Sequence, residues 1–268
     1  MPKDSRAGFS VFWREFGNGP DRALLLHCAL AHSKVWGRFA DQLADDISMV
    51  APDMLGHGRS EQPDMSQHFD DQLFATSAAF LTEPSHVIGH SFGATIALRL
   101  AMEVPDMVKS LTLIEPVFFA AARASDPQAL QTYLTEAQSF ADPMSAGDWS
   151  TAAQHFTKMW GDSSSWDQLS DVERSKMSGQ MPFIAATQGA LFEDTAGLLV
   201  PGRLEAIACP VVLIRGGNSN PVMAAIHKTL ARRIPTAADK VVPNASHMVP
   251  ITHPKVVADH VRHVLHVG

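Results

Sequence analysis

The stretch Gly89-His90-Ser91-Phe92-Gly93 constrains this chain more than any other. Val87-Ile88 in front of it is a short apolar run of the kind that ends a buried strand. Behind it, Ala94 to Glu103 reads as a helix. Polar Thr95, Arg99 and Glu103 recur every four residues on one wet face, and the other faces are largely apolar. Pro105 ends that helix by pushing the preceding residue out of the α region. Strand, sharp turn and helix around Gly-x-Ser-x-Gly form the setting in which this motif holds a serine hydroxyl clear of a sheet. Gly89 and Gly93 carry no Cβ, so strand and helix close tightly around a strained turn. The helix that begins after Ser91 also aims free backbone N–H groups at the same spot, where they stabilise a developing oxyanion.

A length of 268 residues suits one large α/β domain, or a domain with a substantial insertion, and buries a sizeable core. The net charge of −7 leaves no electrostatic footprint for nucleic acid or an anionic membrane. Two cysteines, Cys28 and Cys209, sit beside apolar strand-like runs and read as buried free thiols, which fits a reducing compartment. The amino-terminal residues are not followed by the apolar segment of a secretory signal, and no stretch is apolar enough to span a membrane. The expectation is a cytoplasmic protein acting on a small molecule, with no nucleic-acid or membrane partner. The oligomeric state is left open.

In chain order, an opening strand runs over Phe9 to Phe16, and a buried parallel strand over Arg22 to His27. A helix through Trp36, Phe39 and Leu43 follows, with Ser33 as its cap. Ser48 to Asp53 is another strand, and Met54 to Ser60 is a glycine-rich loop. Helical spacing covers Phe69 to Leu81, and Ser110 to Glu115 is a further strand. From about Val117 to Pro201 the apolar residues fall at helical intervals, with Trp149, Phe156, Trp160, Trp166, Phe183 and Phe192 among them. Any one of these aromatics is a packing residue more readily than a pocket wall. Strand rhythm returns at Cys209 to Arg215 and Lys240 to Val242, and a terminal helix runs from Lys255. Short apolar strands alternating with helices predict a parallel, doubly wound sheet.

The chain thus resembles the α/β-hydrolase family across nearly its whole length. The resemblance rests on the histidine-led loop after Leu26, the segment from Asp53 to Ser60, the Gly89–Gly93 elbow and the late His247, in that order. It implies an α/β core over residues 1–116 and 202–268, with residues 117–201 as a helical cap. It also implies a serine esterase in which Ser91 is the nucleophile and His247 the base, because the family's chain order is serine, acid, histidine. The family's commonest acid follows the penultimate strand. Here that loop, Gly216-Gly217-Asn218-Ser219-Asn220-Pro221, holds no carboxylate. Some members, certain haloalkane dehalogenases among them, carry the acid after the strand that follows the elbow helix, where this chain has Glu115. Glu115 is therefore the expected acid of the triad, and a loop cap or a partner for Arg215 is its alternative role. The oxyanion hole is expected from the N–H of Phe92 and, by register with His27-Cys28, that of Ala29, with Leu30 as fallback.

The implied chemistry needs no cofactor and no metal. A nucleophilic Cys28 is the lesser reading beside a serine site, and His260, His263 and His266 read as a solvated helix face rather than a metal site. A serine at the elbow also argues against the dehalogenase and epoxide-hydrolase branches, which use an aspartate. Carbon–carbon bond hydrolysis, acyl transfer to an alcohol, perhydrolysis or haloperoxidase chemistry would use the same triad. So would a receptor that turns its ligand over slowly.

Overall fold

The central strands are apolar on both sides, and both sides are covered. The computed structural model describes residues 2–161 and 166–265. Eight strands form one sheet in the order β1-β2-β4-β3-β5-β6-β7-β8. They are β1 (Lys3–Arg6), β2 (Phe9–Phe16), β3 (Asp21–Leu26), β4 (Ile47–Pro52), β5 (Ser85–His90), β6 (Val108–Ile114), β7 (Val211–Gly216) and β8 (Ala237–Val242). The pairs β1/β2 and β2/β4 are antiparallel and all others are parallel.

Successive residues of a strand point to opposite faces, and this divides the core in two. Leu24, Leu26, Val87, Leu111, Leu113, Val211 and Leu213 pack into one cluster with Ile96, Leu98 and Leu100 of the helix after β5. Ala23, Leu25, Ile88, Ile114, Val212 and Ile214 pack into the other, against Trp36, Phe39, Val257 and Val261.

The helices are α1 (Gly37–Ala40), α2 (Phe69–Ala78), α3 (Phe92–Glu103), α4 (Phe119–Ser125), α5 (Pro127–Ser145), α6 (Trp149–Trp160), α7 (Asp171–Ala186), α8 (Pro221–Arg233), α9 (Val249–Thr252) and α10 (Pro254–Leu265). Four of them, α4 to α7, lie between β6 and β7. Their starts are written locally. Asp126 and Asp148 accept from the N–H groups of Ala129 and Thr151, and Ser170 forms a capping box with Glu173. The first of the four is tied to the sheet layer, since Thr229 of α8 donates to Ala121 O and Ser125 donates to Ala225 O. Further out, Met144, Ala152, Ala153, Met181 and Ile184 make a separate small core between α5, α6 and α7.

Several elements depart from expectation. β1 precedes the anticipated first strand. It is a short polar edge strand whose pairing with β2 comes from main-chain hydrogen bonds, which leave no mark in side-chain pattern. The helix expected through Leu43 is instead a 3-10 turn, Ser33–Trp36, running into the four-residue α1. Ser33 does not cap it. Ser33 is instead the first residue inside the turn, where its free N–H donates to the Asp53 carboxylate at 2.7 Å and its Oγ has no hydrogen-bond partner among the described residues, and the His32 side chain accepts from Lys34 N at the cap position. β8 starts three residues early, at Ala237, because register with β7 continues over Ala237, Ala238 and Asp239, which carry no buried apolar strand pattern. Among the described residues, no helix is long and apolar enough to cross a membrane.

Candidate active site

Ser91 stands between β5 and α3 with φ +57° and ψ −120°, a conformation that an L-residue holds only under compulsion. The compulsion is visible. Ser91 N donates to Ile114 O of β6, and a Cβ on Gly93 would run into the carbonyls of Leu26 and His27. Strand, turn and helix are therefore clamped against β3, and the serine side chain is turned out of the sheet.

Two loops meet it there. Glu115 follows β6, also at positive φ (+50°), with its N–H donating to Ile214 O. His247 arrives from the loop after β8. Gly216 permits this close approach, since a Cβ there would collide with the backbone of Ala245 and Ser246. His90 also contributes: its Nε2–H donates to His247 O at 2.9 Å and fixes the backbone of that loop. The result is a continuous hydrogen-bonded chain. Ser91 Oγ lies 3.0 Å from His247 Nε2, and His247 Nδ1 lies 3.0 Å from Glu115 Oε2. A carboxylate only accepts, so Nδ1 carries the proton and Nε2 presents its lone pair to the serine hydroxyl.

Glu115 is fully buried. Burial alone would raise its pKa, but the His247 hydrogen bond and charge, with hydrogen bonds from Ser219 and Gly216, hold it below the ordinary carboxylate value. The second oxygen, Oε1, accepts from Gly216 N at 2.7 Å and Ser219 Oγ at 2.6 Å. The post-strand loop that lacks an acid thus supplies donors to the acid on the neighbouring strand. Asn218 is not part of this chain, and its N–H donates to Ala245 O. Arg215 does not pair with Glu115.

The backbone N–H of Phe92 opens α3 and has no acceptor within that helix. In the loop after β3, the Leu30 N–H is taken by His57 Nε2 at 3.2 Å. The Ala29 N–H, in the same loop, has no acceptor among the described residues. Ala29 and Ser91 line the same cavities. The loop itself is braced by two histidines. His27 donates from Nδ1 to Cys28 O and accepts from Met54 N, while His57 donates to Leu55 O. Burial pushes the Cys28 thiol up to about 12, which keeps it protonated and inert beside the serine.

These bracing histidines make stability pH-dependent. Burial, with the neighbouring His57, lowers His27 to about 3, burial lowers His57 to about 4, and burial with the neighbouring His247 lowers His90 to about 3. Each folded value lies below the unfolded value of about 6.5, so below that pH the unfolded chain binds protons the folded chain refuses. The stability is full above pH ~6.5 and is lost as pH falls toward ~4. Urea midpoints should accordingly drop between pH 7 and pH 5, and a flat profile across that interval would refute the account.

Two cavities flank Ser91. One of about 290 Å³ is lined by Cys28 to His32, His247, Met248 and Met177, the other of about 50 Å³ by Phe92, Phe119, Tyr133 and Leu191. Phe156 and Trp160 of α6 line both, and the Trp160 ring meets His247 edge-on at 4.6 Å. Trp149 is exposed, Trp166 packs beside the small outer core, and Phe183 stacks on Phe69. Among the described residues no cluster of histidine, cysteine and acidic side chains has metal-binding geometry, and His266 lies outside those residues.

The profile of the alpha/beta hydrolase family matches residues 23–260. The chain belongs to the alpha/beta hydrolase family. Pimeloyl-[acyl-carrier protein] methyl ester esterase of Chromobacterium violaceum is 30% identical over 249 residues, covering 91% of this chain and 93% of that protein. Lipase LipV of Mycobacterium tuberculosis is 34% identical over 149 residues, 54% of this chain and 53% of the lipase. A solved alpha/beta hydrolase from Sphaerobacter thermophilus shares the fold with a TM-score of 0.72 at 20% identity, over 98% of this chain and 99% of that one. This family membership supports hydrolase activity.

The sequence does not single out Ser219 or His90 as parts of the site, and it offers Trp160 only as one of the aromatics of the insertion. Ser219 had one signal, its place in the loop where an acid was sought. Trp160 had only its place among those aromatics, because its role depends on how α6 lies over the sheet.

Proposed function

We propose that this hydrolase cleaves a carboxylic ester through an acyl-enzyme on Ser91. The observation that carries the reading is the unbroken Ser91–His247–Glu115 hydrogen-bonded chain. As Ser91 Oγ attacks the carbonyl carbon, its proton passes to His247 Nε2, and the N–H groups of Phe92 and Ala29 receive the oxyanion. Collapse breaks the ester bond, and the departing alkoxide takes the proton from Nε2. Water then attacks the acyl-enzyme, losing a proton to the same nitrogen, and the acid leaves as Ser91 is reprotonated. Glu115 holds the tautomer and stabilises the imidazolium formed in each half. The cycle consumes one water and requires no cofactor.

The names of the relatives, a methyl ester esterase and a lipase, support an ester over the other bonds that the same triad could address. In this reading residues 117–201 form the cap that shapes the pocket, and residues 1–116 and 202–268 form the catalytic core. Two free cysteines agree with a reducing, cytoplasmic setting. Turnover of nitrophenyl esters should be extinguished by a fluorophosphonate whose adduct maps to Ser91. Labelling of another residue, or turnover that survives full labelling, would exclude the mechanism.

A further inference from the structure

The two cavities beside Ser91 differ in size, in access and in which reacting group they meet, and proton transfer decides which half of a substrate each receives. His247 must deliver its proton to the leaving oxygen, so the leaving group has to lie on the His247 side of the serine. His247 lines the large cavity and not the small one. The small cavity instead meets Phe92, whose N–H anchors the oxyanion in the proposed mechanism.

From this we infer that the enzyme is selective for esters of a short carboxylic acid with a bulky, apolar alcohol. The assignment rests on the acyl-enzyme reading of Ser91. The acyl chain enters the narrow slot closed by Phe119, Tyr133 and Leu191, all buried. Phe119 stacks on Tyr133 at 4.4 Å and on Phe192 at 4.5 Å, so the end of the slot is a packed aromatic wall. One water-sized atom needs roughly 10–15 Å³ of such space, and about 50 Å³ therefore holds only a few chain atoms. The alcohol occupies the cavity of about 290 Å³, which reaches the surface past half-buried His32, Val35 and Met177. Its walls, Leu30, Met177 and Met248 among them, are mostly apolar and suit an uncharged group. Phe156 and Trp160 form the partition between the two halves.

The test compares kcat/KM for naphthyl esters of acetic, butyric and octanoic acids with that for methyl octanoate, alongside fluorophosphonate labelling of Ser91. Naphthyl acetate or butyrate should exceed naphthyl octanoate at least tenfold, because methylenes that do not fit are each worth about tenfold or more. Methyl octanoate should be the poorest substrate. Leu191→Ala should move the optimum toward longer acids, and Met177→Trp should lower the naphthyl-to-methyl ratio for acetates about tenfold. If Leu191→Ala does not fold, the wild-type order alone decides. A labelled, active wild type that prefers octanoyl or methyl esters overturns the assignment of the two halves. An unlabelled protein with no turnover on any ester overturns the acyl-enzyme reading, and this inference with it.

Discussion

Ser91→Ala is expected to lower kcat on any ester by about 10⁴-fold or more, while leaving the fold intact. The expected size follows from nucleophile removals in serine hydrolases, which cost up to about 10⁶ because the residual rate comes only from binding and oxyanion stabilisation. The fold should survive because the backbone at this position is held by neighbours rather than by the hydroxyl. Ser91 N donates to Ile114 O, and the packing of Gly93 against β3 is untouched. Alanine inherits the positive φ, so thermal stability should change little. The measurement is single-turnover hydrolysis beside a thermal melt. A folded variant that keeps more than about a tenth of the activity would eliminate Ser91 as the nucleophile.

Glu115→Gln is expected to cost about 10⁴ in kcat, through the tautomer of His247 rather than through lost structure. The amide oxygen of glutamine can still accept from Gly216 N and Ser219 Oγ, the two donors that fix Oε1. The amide nitrogen must then face His247 Nδ1, where the carboxylate Oε2 stands in the wild type. An NH₂ group donates, so the imidazole turns its lone pair to Nδ1 and its proton to Nε2, and the nitrogen facing Ser91 can no longer act as a base. Truncation to alanine would leave buried donors unsatisfied and confuse lost catalysis with lost stability. Near-normal turnover in the glutamine variant would refute the assignment. Restored activity in a double variant that also carries Asn218→Asp would instead reveal a vacant acid position in the post-strand loop.

The elbow, the alternation of the parallel strands with helices and the absence of an acid after β7 were legible residue by residue. Each is a local property. A strand, a tight turn and a helix are signalled by neighbours within a few positions, although the strained backbone of Ser91 is held in place by β3 and β6. Glu115 was legible as the favoured acid but not as a fixed one, because a glutamate at the end of an apolar strand can also serve as a cap or an arginine partner. The capping role of Ser33 failed for a related reason. A distant carboxylate, Asp53, takes its N–H and holds Ser33 inside the turn, so that His32 becomes the cap, and no window around Ser33 contains that fact.

Chemistry confined to short stretches of chain was therefore settled by residue identity: which serine sits at the elbow, that a doubly wound sheet forms, and that the usual acid is missing. Assembly across long separations was settled by packing. Glu115 and His247 are 132 residues apart, and Ser91 and His247 are 156 apart, yet each pair is joined by a 3.0 Å hydrogen bond. The physical reason is that parallel strands bring their carboxyl ends to one edge of the sheet, so loops distant in sequence converge there. The division of the pocket by Phe156 and Trp160 belongs to the same category. It depends on how α6 lies over that edge, a matter of helix packing that residue spacing alone does not specify.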